Sequence, residues 1–402
     1  MRRFLSMDKR KLTLLVVLLV LTKVILAAVT PPSDPVVYYL TLDTRSPSPD
    51  SNNPWGLLGN AAVSFWRALP ITHNDTFVLI TNRGGVLPLS LQLLVLVWKM
   101  PFLIADLTIA YVLYLLSKHL WPSTKRGDLA VLIWLANPYC TFVTEMYGAV
   151  DVIPIMGIML AIYLVLKTKY LFAGISVACG IALKLFPLLT VPAILYAAQA
   201  RGAGRVKTLV CVMMALLGTA VYFAWSGFPL SEPYNFQDIT EFVLGVEGYL
   251  GYANIYDFLG LATFSVVICY LLLYEYRVVQ LANPLKSVLI ALLAFASFLV
   301  FQVEYILWVV PLLVLVNLTD KRTIFLHASI LVTAFSLGFL ETDGYAQQLG
   351  SILPMLNNNW ISIMTSSPLV DLVIGPLLHS LLVASMLLLI LIVASPERYE
   401  DL

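Results

Sequence analysis

The sequence predicts an all-α, polytopic membrane fold of about twelve transmembrane helices, and three observations lead there. Apolar residues make up 60% of the 402 positions and charged ones only 12%. The apolar letters recur in runs of about 15 to 25, each long enough to cross a ~30 Å hydrocarbon core as a helix. Lysine and arginine collect in every second connection, as a chain that crosses repeatedly and keeps its basic loops on one side requires.

The expected spans lie near 12–28, 101–118, 129–147, 152–167, 170–184, 186–200, 207–227, 258–276, 285–301, 304–318, 323–340 and 371–394. The first follows a basic start, Arg2, Arg3, Lys9, Arg10 and Lys11, which places the N-terminus in the cytoplasm. If so, the even-numbered connections must also be basic. They carry Lys118, Lys125 and Arg126; Lys167 and Lys169; Arg201, Arg205 and Lys207; Arg277 and Lys286; Lys321 and Arg322; and Arg398 in the tail. With the basic start these hold three quarters of the 24 Lys and Arg, so both termini are expected on the cytoplasmic side. Most of the 23 Asp and Glu fall in outer loops or outer halves of spans, which puts any chemistry on the outer, or luminal, face.

The first span also fits a cleaved signal peptide, with its basic start, apolar core and small Ala27-Ala28. An uncleaved span is the expectation, because cleavage would free the first outer loop from its anchor. Span 3 contains Asn137-Pro138, which removes a backbone hydrogen bond in mid-helix and should kink it. The turn Tyr147-Gly148-Ala149-Val150-Asp151 then leads into span 4, with Asp151 as a fair N-cap. Span 5 carries Ala173-Gly174 and Gly180, small residues suited to close helix contact, and ends at Lys184 beside Pro187.

Residues 1–402 read as one membrane domain with short cytoplasmic links and three long outer segments, 29–100, 228–257 and 341–370. The first is rich in Pro, Ser and Asn up to Pro54 and should be irregular. Residues 57–69, with Phe65 and Trp66, read as an interfacial amphipathic helix, and Val86 to Met100 as a re-entrant or surface helix, broken at Pro88, that leads into span 2. Acids and four tyrosines in the second segment suit sugar binding, although interfacial anchoring explains the tyrosines equally.

The composition also excludes several classes. A net charge of +1 leaves no basic patch for nucleic acid. The four cysteines, Cys140, Cys179, Cys211 and Cys269, lie inside spans without CxxC spacing and read as packing residues. His119, His327 and His379 lack suitable companions, so no metal and no cofactor is expected.

An ionisable residue inside a membrane is costly, by about 2.5–3.5 kcal/mol at a helix centre, and needs a reason. Lys99, Asp106, Glu145, Asp151 and Lys184 share the outer half of the spans, and Glu304 joins them at the start of span 10. They are expected to line one polar cavity. Asp106 also has a plain reading as a helix–helix hydrogen bond, and Lys99 and Lys184 as interfacial anchors.

Four successive blocks carry a resemblance. They are Lys99-x-Pro-Phe-x-x-x-Asp106; Asn137-Pro138 followed by Gly148-x-x-Asp151; Ala173-Gly174 with Lys184-x-x-Pro187; and Gln302-Val-Glu-Tyr305-Ile-Leu-Trp308-Val-Val-Pro311. In order and spacing the chain resembles the C-type integral-membrane glycosyltransferases. Within them it resembles the mannosyltransferase family that adds the first mannose to glycosylphosphatidylinositol (GPI), and the related prokaryotic enzymes that use polyprenyl-phosphate mannose.

The resemblance implies inverting transfer of a hexose, mannose by likeness, from a polyprenyl- or dolichyl-phosphate sugar to a lipid or glycan acceptor on the non-cytoplasmic face. A carboxylate in the first outer loop would be the general base, an effect worth about 10²–10⁴-fold. Lys99, Lys184 and Arg83 are the candidates for the departing phosphate, with Asp106, Glu145, Asp151, Gln302 and Glu304 lining the cavity. The family's Asp-x-Asp-Tyr pattern is replaced by Ser33-Asp34-Pro35-Val36-Val37-Tyr38-Tyr39, with Asp43 beyond, leaving Asp34 and Asp43 both open as the base. The Tyr-Pro-Pro step before span 2 is reduced to Val86-Leu87-Pro88.

Two other classes remain. A secondary transporter or flippase of an anionic or lipid-linked substrate would use Asn137-Pro138 and Lys184 as its broken helix and charge. A non-catalytic membrane scaffold would be indifferent to replacement of Asp34.

Overall fold

The computed structural model describes residues 8–30, 89–122, 124–225, 284–298, 303–318, 321–341 and 374–394, and every regular element among them is helical. In chain order these helices are α1 (Lys9–Val29), α2 (Leu89–Leu120), α3 (Arg126–Leu135), α4 (Pro138–Thr141), α5 (Val152–Leu166), α6 (Tyr170–Leu183) and α7 (Val191–Ala200). Then come α8 (Arg205–Trp225), α9 (Pro284–Phe298), α10 (Val303–Leu307), α11 (Val310–Asn317), α12 (Lys321–Glu341) and α13 (Gly375–Ala394).

Among the described residues, Lys9–Val29, Val95–Leu120 and Arg205–Tyr222 are long and apolar enough to cross a membrane, and a fourth span results if Arg126–Leu135 and Pro138–Tyr147, bent by 47°, are taken together. Six shorter apolar helices of 10–17 residues overlap other expected spans. The chain is a multi-pass membrane protein. Fewer full-length spans than twelve occur among the described residues, partly because α10 and α11 are separate helices around Trp308 and Val309. The expected span at 258–276 lies outside the described residues.

Two elements differ from their sequence reading. The run up to Met100, expected to lead into a span starting at Pro101, has no boundary with it: from Leu89 both form one 32-residue helix that passes through Pro101. Proline deletes one backbone bond, which a buried transmembrane helix tolerates because its neighbours re-satisfy the freed groups. In span 3 the expected kink is a break. The Asn137 side chain accepts from the backbone N–H groups of Tyr139 at 3.0 Å and Cys140 at 3.4 Å, capping a new helix that has Pro138 in its first turn.

Helix α4 passes into a single π-helical turn, Phe142–Tyr147, which Gly148 ends with a left-handed φ of 82°. A Cβ there would also lie 3.2 Å from the Trp98 ring, so backbone and space both favour glycine. In the bundle, α2 packs on α1, α3 and α5, and α6 lies between α5 and α8. A Cβ on Gly157 of α5 would sit 2.8 Å from the Ser176 carbonyl of α6, and one on Gly218 of α8 only 2.5 Å from the Ala178 carbonyl. The small residues thus set the helix spacing, since nothing larger admits backbones this close. On the other side α13 packs on α9 and α12.

Helix α1 is attached by little. Its leucines and isoleucine at 14, 18, 21 and 25 are exposed, as suits a lipid-facing surface, whereas Lys23 and Ala27 are buried.

Candidate functional site

The intramembrane charges assemble in two groups, joined by the turn 142–151. In the first, Lys23 of α1 donates to Glu145 Oε2 at 2.9 Å and lies 3.2 Å from Asp106 Oδ2 of α2. All three side chains are almost wholly buried. Lys99, about two turns before Asp106 on the same face of α2, is buried as well. Its ammonium approaches the Glu145 carbonyl at 2.7 Å, the Met146 carbonyl at 2.8 Å, the Thr30 carbonyl at 3.0 Å and Thr30 Oγ1 at 3.1 Å.

An ammonium has three N–H groups, so four oxygen neighbours saturate it. A π-helical turn leaves carbonyls unpaired at its C-terminal end, and Lys99 caps two of them while tying in the last residue of the first span. The side chain is therefore not at the membrane surface as an anchor. Two lysines and two carboxylic acids offset one another, so the group can be buried with no net charge.

The second group forms where α5 begins, α6 ends and α10 gives way to α11. Lys184 donates to Asp151 Oδ2 at 2.9 Å and Oδ1 at 3.0 Å, and the Trp308 indole N–H donates to Oδ1 at 2.7 Å. Asp151 makes no side-chain cap on α5, contrary to the N-cap reading, because its carboxylate is taken by these two partners. Glu304 stands next to Tyr305 at the start of α10, on the same side of the group. The Tyr305 ring lies 5.8 Å from the ammonium. Trp308 is held by stacking on Phe186, with centroids 3.9 Å apart and planes within 2°.

Exposure separates the groups. The Lys184 side chain keeps 31% of its surface open, whereas Asp151 beneath it has 2% and Lys23, Asp106 and Glu145 are at 2% or less. A partly exposed lysine side chain on a buried carboxylate is suited to receiving a second anion. A phosphate arriving there would find one N–H direction free once two point at Asp151.

Of the residues singled out in the sequence, Lys99, Asp106 and Glu145 thus meet in one group, and Asp151, Lys184 and Glu304 in the other. Asp34, Asp43, Arg83 and Gln302 lie outside the described residues. Sequence reasoning passed over Lys23, Thr30 and Trp308. Lys23 had a signal: one ionisable residue in each of the first three spans invites the inference that they pair. Trp308 and Thr30 had none beyond their position in or beside a motif. His327 does have a companion, a buried hydrogen bond with Asn317, which also accepts from Thr323 at 2.8 Å. Among the described residues no three His, Cys, Asp or Glu side chains gather as metal ligands.

Comparison with known proteins covers Lys99, Asp106, Glu145, Asp151 and Lys184 of these groups, and leaves Lys23, Thr30, Glu304 and Trp308 outside the matched family model. The family model described as GPI transamidase subunit PIG-U matches residues 71–244, somewhat under half of the chain, and three of the four sequence blocks fall within it. GPI mannosyltransferase 1 of Candida albicans is 30% identical over 99 residues, which are 24% of this chain. The matched stretch spans only about a quarter of that protein, 25% of its length. In its motifs and in both comparisons the chain resembles the C-type integral-membrane glycosyltransferases.

Proposed function

We propose that the protein is a membrane hexosyltransferase that takes its sugar from a polyprenyl- or dolichyl-phosphate donor, with mannose the first sugar to try. The observation that carries this reading is Lys184, a partly exposed side chain whose ammonium is braced on the buried carboxylate of Asp151. The similarity to GPI mannosyltransferase 1 supports the sugar, and the multi-pass bundle suits a lipid-linked donor whose tail must lie among helices.

In the proposed reaction an acceptor hydroxyl on a lipid or glycan attacks the anomeric carbon from the face opposite the phosphate. A carboxylate of the first outer segment, Asp34 or Asp43, takes the hydroxyl proton. The glycosyl C–O bond breaks toward the lipid phosphate, and inversion follows. Lys184 meets the charge that grows on the departing phosphate, where a fixed cation in a low-dielectric site is most effective. Lys99 is not assigned to the phosphate, because its N–H groups are already used. Arg83 stands as a further cation for that anion. The active site is assigned to the outer or luminal face by the distribution of basic loops.

The test is transfer of labelled hexose from a polyprenyl-phosphate sugar in vesicles carrying the purified protein, beside Asp34→Ala, Asp43→Ala and Lys184→Gln. Transfer by the wild type, lost in Lys184→Gln and in one of the two aspartate variants, is the expected result. Equal activity in both aspartate variants removes them as the base. No transfer from any lipid-phosphate sugar removes the function.

A second reading has its own support. The family match to a GPI transamidase subunit and the altered Asp-x-Asp-Tyr pattern favour a non-catalytic member of a membrane complex that keeps the lipid-binding bundle. It predicts no transfer, with co-purification of partner subunits from the native membrane.

A further inference from the structure

Trp308 has no role in the reaction as proposed, yet it makes the shortest contact in the Lys184 group, 2.7 Å from its indole nitrogen to Asp151 Oδ1. That carboxylate has only 2% of its side-chain surface open. If Lys184 turned its ammonium outward to an anion, Asp151 would be left as a buried charge, and an uncompensated buried charge is strongly unfavourable. A second donor that stays behind removes that obstacle. Trp308 is such a donor because it cannot follow the lysine: it is buried, stacked face to face on Phe186, and flanked by the rings of Tyr305 at 4.5 Å and Phe295 at 5.8 Å.

The stack also reaches Lys184 through the chain, since Phe186 is only two residues further on and opens the 3₁₀ turn Phe186–Thr190. The Tyr305 ring lies near the ammonium and offers its face to a cation in motion.

We propose that Trp308 is a positioning residue: its indole N–H holds the Asp151 carboxylate while Lys184 transfers its hydrogen bonds from that carboxylate to the phosphate of a polyprenyl-linked donor. This rests on the function proposed above. Trp308 touches neither sugar nor phosphate and acts only through Asp151. No covalent bond changes in the step; one N–H···O contact is exchanged for another.

The experiment uses the full-length protein in lipid nanodiscs with radiolabelled polyprenyl phosphate as the probe, so that binding is read without turnover. Trp308→Phe removes the N–H and keeps a ring on Phe186. Replacement of Trp308 with 3-benzothienylalanine, in which sulfur takes the place of the N–H, keeps the full bicyclic shape where the smaller ring fails to fold. Both are expected to weaken binding about ten-fold, as loss of a hydrogen bond to a charged group does. In turnover, KM for the donor should rise with kcat little changed. In an Asp151→Asn background the same replacements should have no further effect, because the carboxylate they serve is gone.

Unchanged binding in the Trp308 variants, alongside lost binding in Lys184→Gln, overturns the positioning role and leaves the phosphate site standing. Full additivity with Asp151→Asn also overturns it, since Trp308 would then act by packing alone. A wild type that does not bind polyprenyl phosphate removes the proposed function and this inference with it.

Discussion

Lys23 and Glu145 stand 122 positions apart in the chain, and their side chains meet at 2.9 Å in a fully buried contact. That contact, shared with Asp106, is the ion pair that ties the first helix to the bundle, beside Ala27 and the partly buried Val16, Leu19, Val20 and Leu26. Lipid is as apolar as a leucine face, so apolar contact alone drives little helix association in a membrane. A buried ion pair does, provided both partners are present.

Replacing Lys23 with Met should therefore destabilise the protein by about 3 kcal/mol or more, because two buried carboxylates lose their cation. The triple variant Lys23→Met, Asp106→Asn, Glu145→Gln should recover much of that loss, since the neutral set leaves no unpaired charge. Thermal unfolding midpoints in one detergent check both. A single variant as stable as wild type would refute the pairing argument.

Lys99 and Lys184 should separate when replaced by Met. Lys99→Met leaves the carbonyls of Glu145 and Met146 uncapped and is expected to cost about 2 kcal/mol, the range for a lost charge-assisted hydrogen bond. Lys184→Met should lower donor binding far more than stability, because its side chain is already part open. Parallel unfolding and binding curves distinguish the two. A guanidinium is planar and forked, so Lys99→Arg should not restore stability.

Gly148→Ala combines a left-handed φ of 82° with a 3.2 Å approach to Trp98 and should cost about 1–2 kcal/mol. Gly218→Val should be worse, since its first added carbon lies 2.5 Å from a backbone carbonyl that cannot move alone. Expression and monodispersity on size exclusion provide the first measurement, and thermal midpoints the second. Wild-type behaviour for Gly218→Val would mean that α6 and α8 pack more loosely than described.

Asn137→Ala removes the side-chain cap that restarts the helix after the break and should cost about 1 kcal/mol. Asn137→Ser should be tolerated better, because serine caps comparably and adds no charge to a buried site. Thermal midpoints of the two variants, ranked in the opposite order, would count against the cap.

Much of the helical layout could be read from the chain alone. Apolar runs locate helices because a bilayer offers the backbone no other partner, and the ends of α5, α6 and α8 fall within a few residues of the runs that predict them. A disturbance at Asn137-Pro138 was legible as a kink, since proline lacks an N–H, but the break capped by Asn137 was not. Nor was continuity of α2 through Pro101. Whether a proline ends a helix depends on what packs beside it, which no local pattern records.

The candidate site divides the same way. Composition was enough to say which residues need an explanation: Lys99, Asp106, Glu145, Asp151 and Lys184 are charges in an apolar medium, and each had to find a counter-charge or a polar surface. Which partner each one found was decided by how the helices stand beside one another. One group closes on itself around Lys23 and Thr30, and the other keeps the Lys184 side chain partly exposed over Asp151 and Trp308. The cost of a buried charge is a property of the residue and its solvent and so is written locally. Its compensation is a distance of about 3 Å between segments remote in the chain, and only the packed bundle sets that distance.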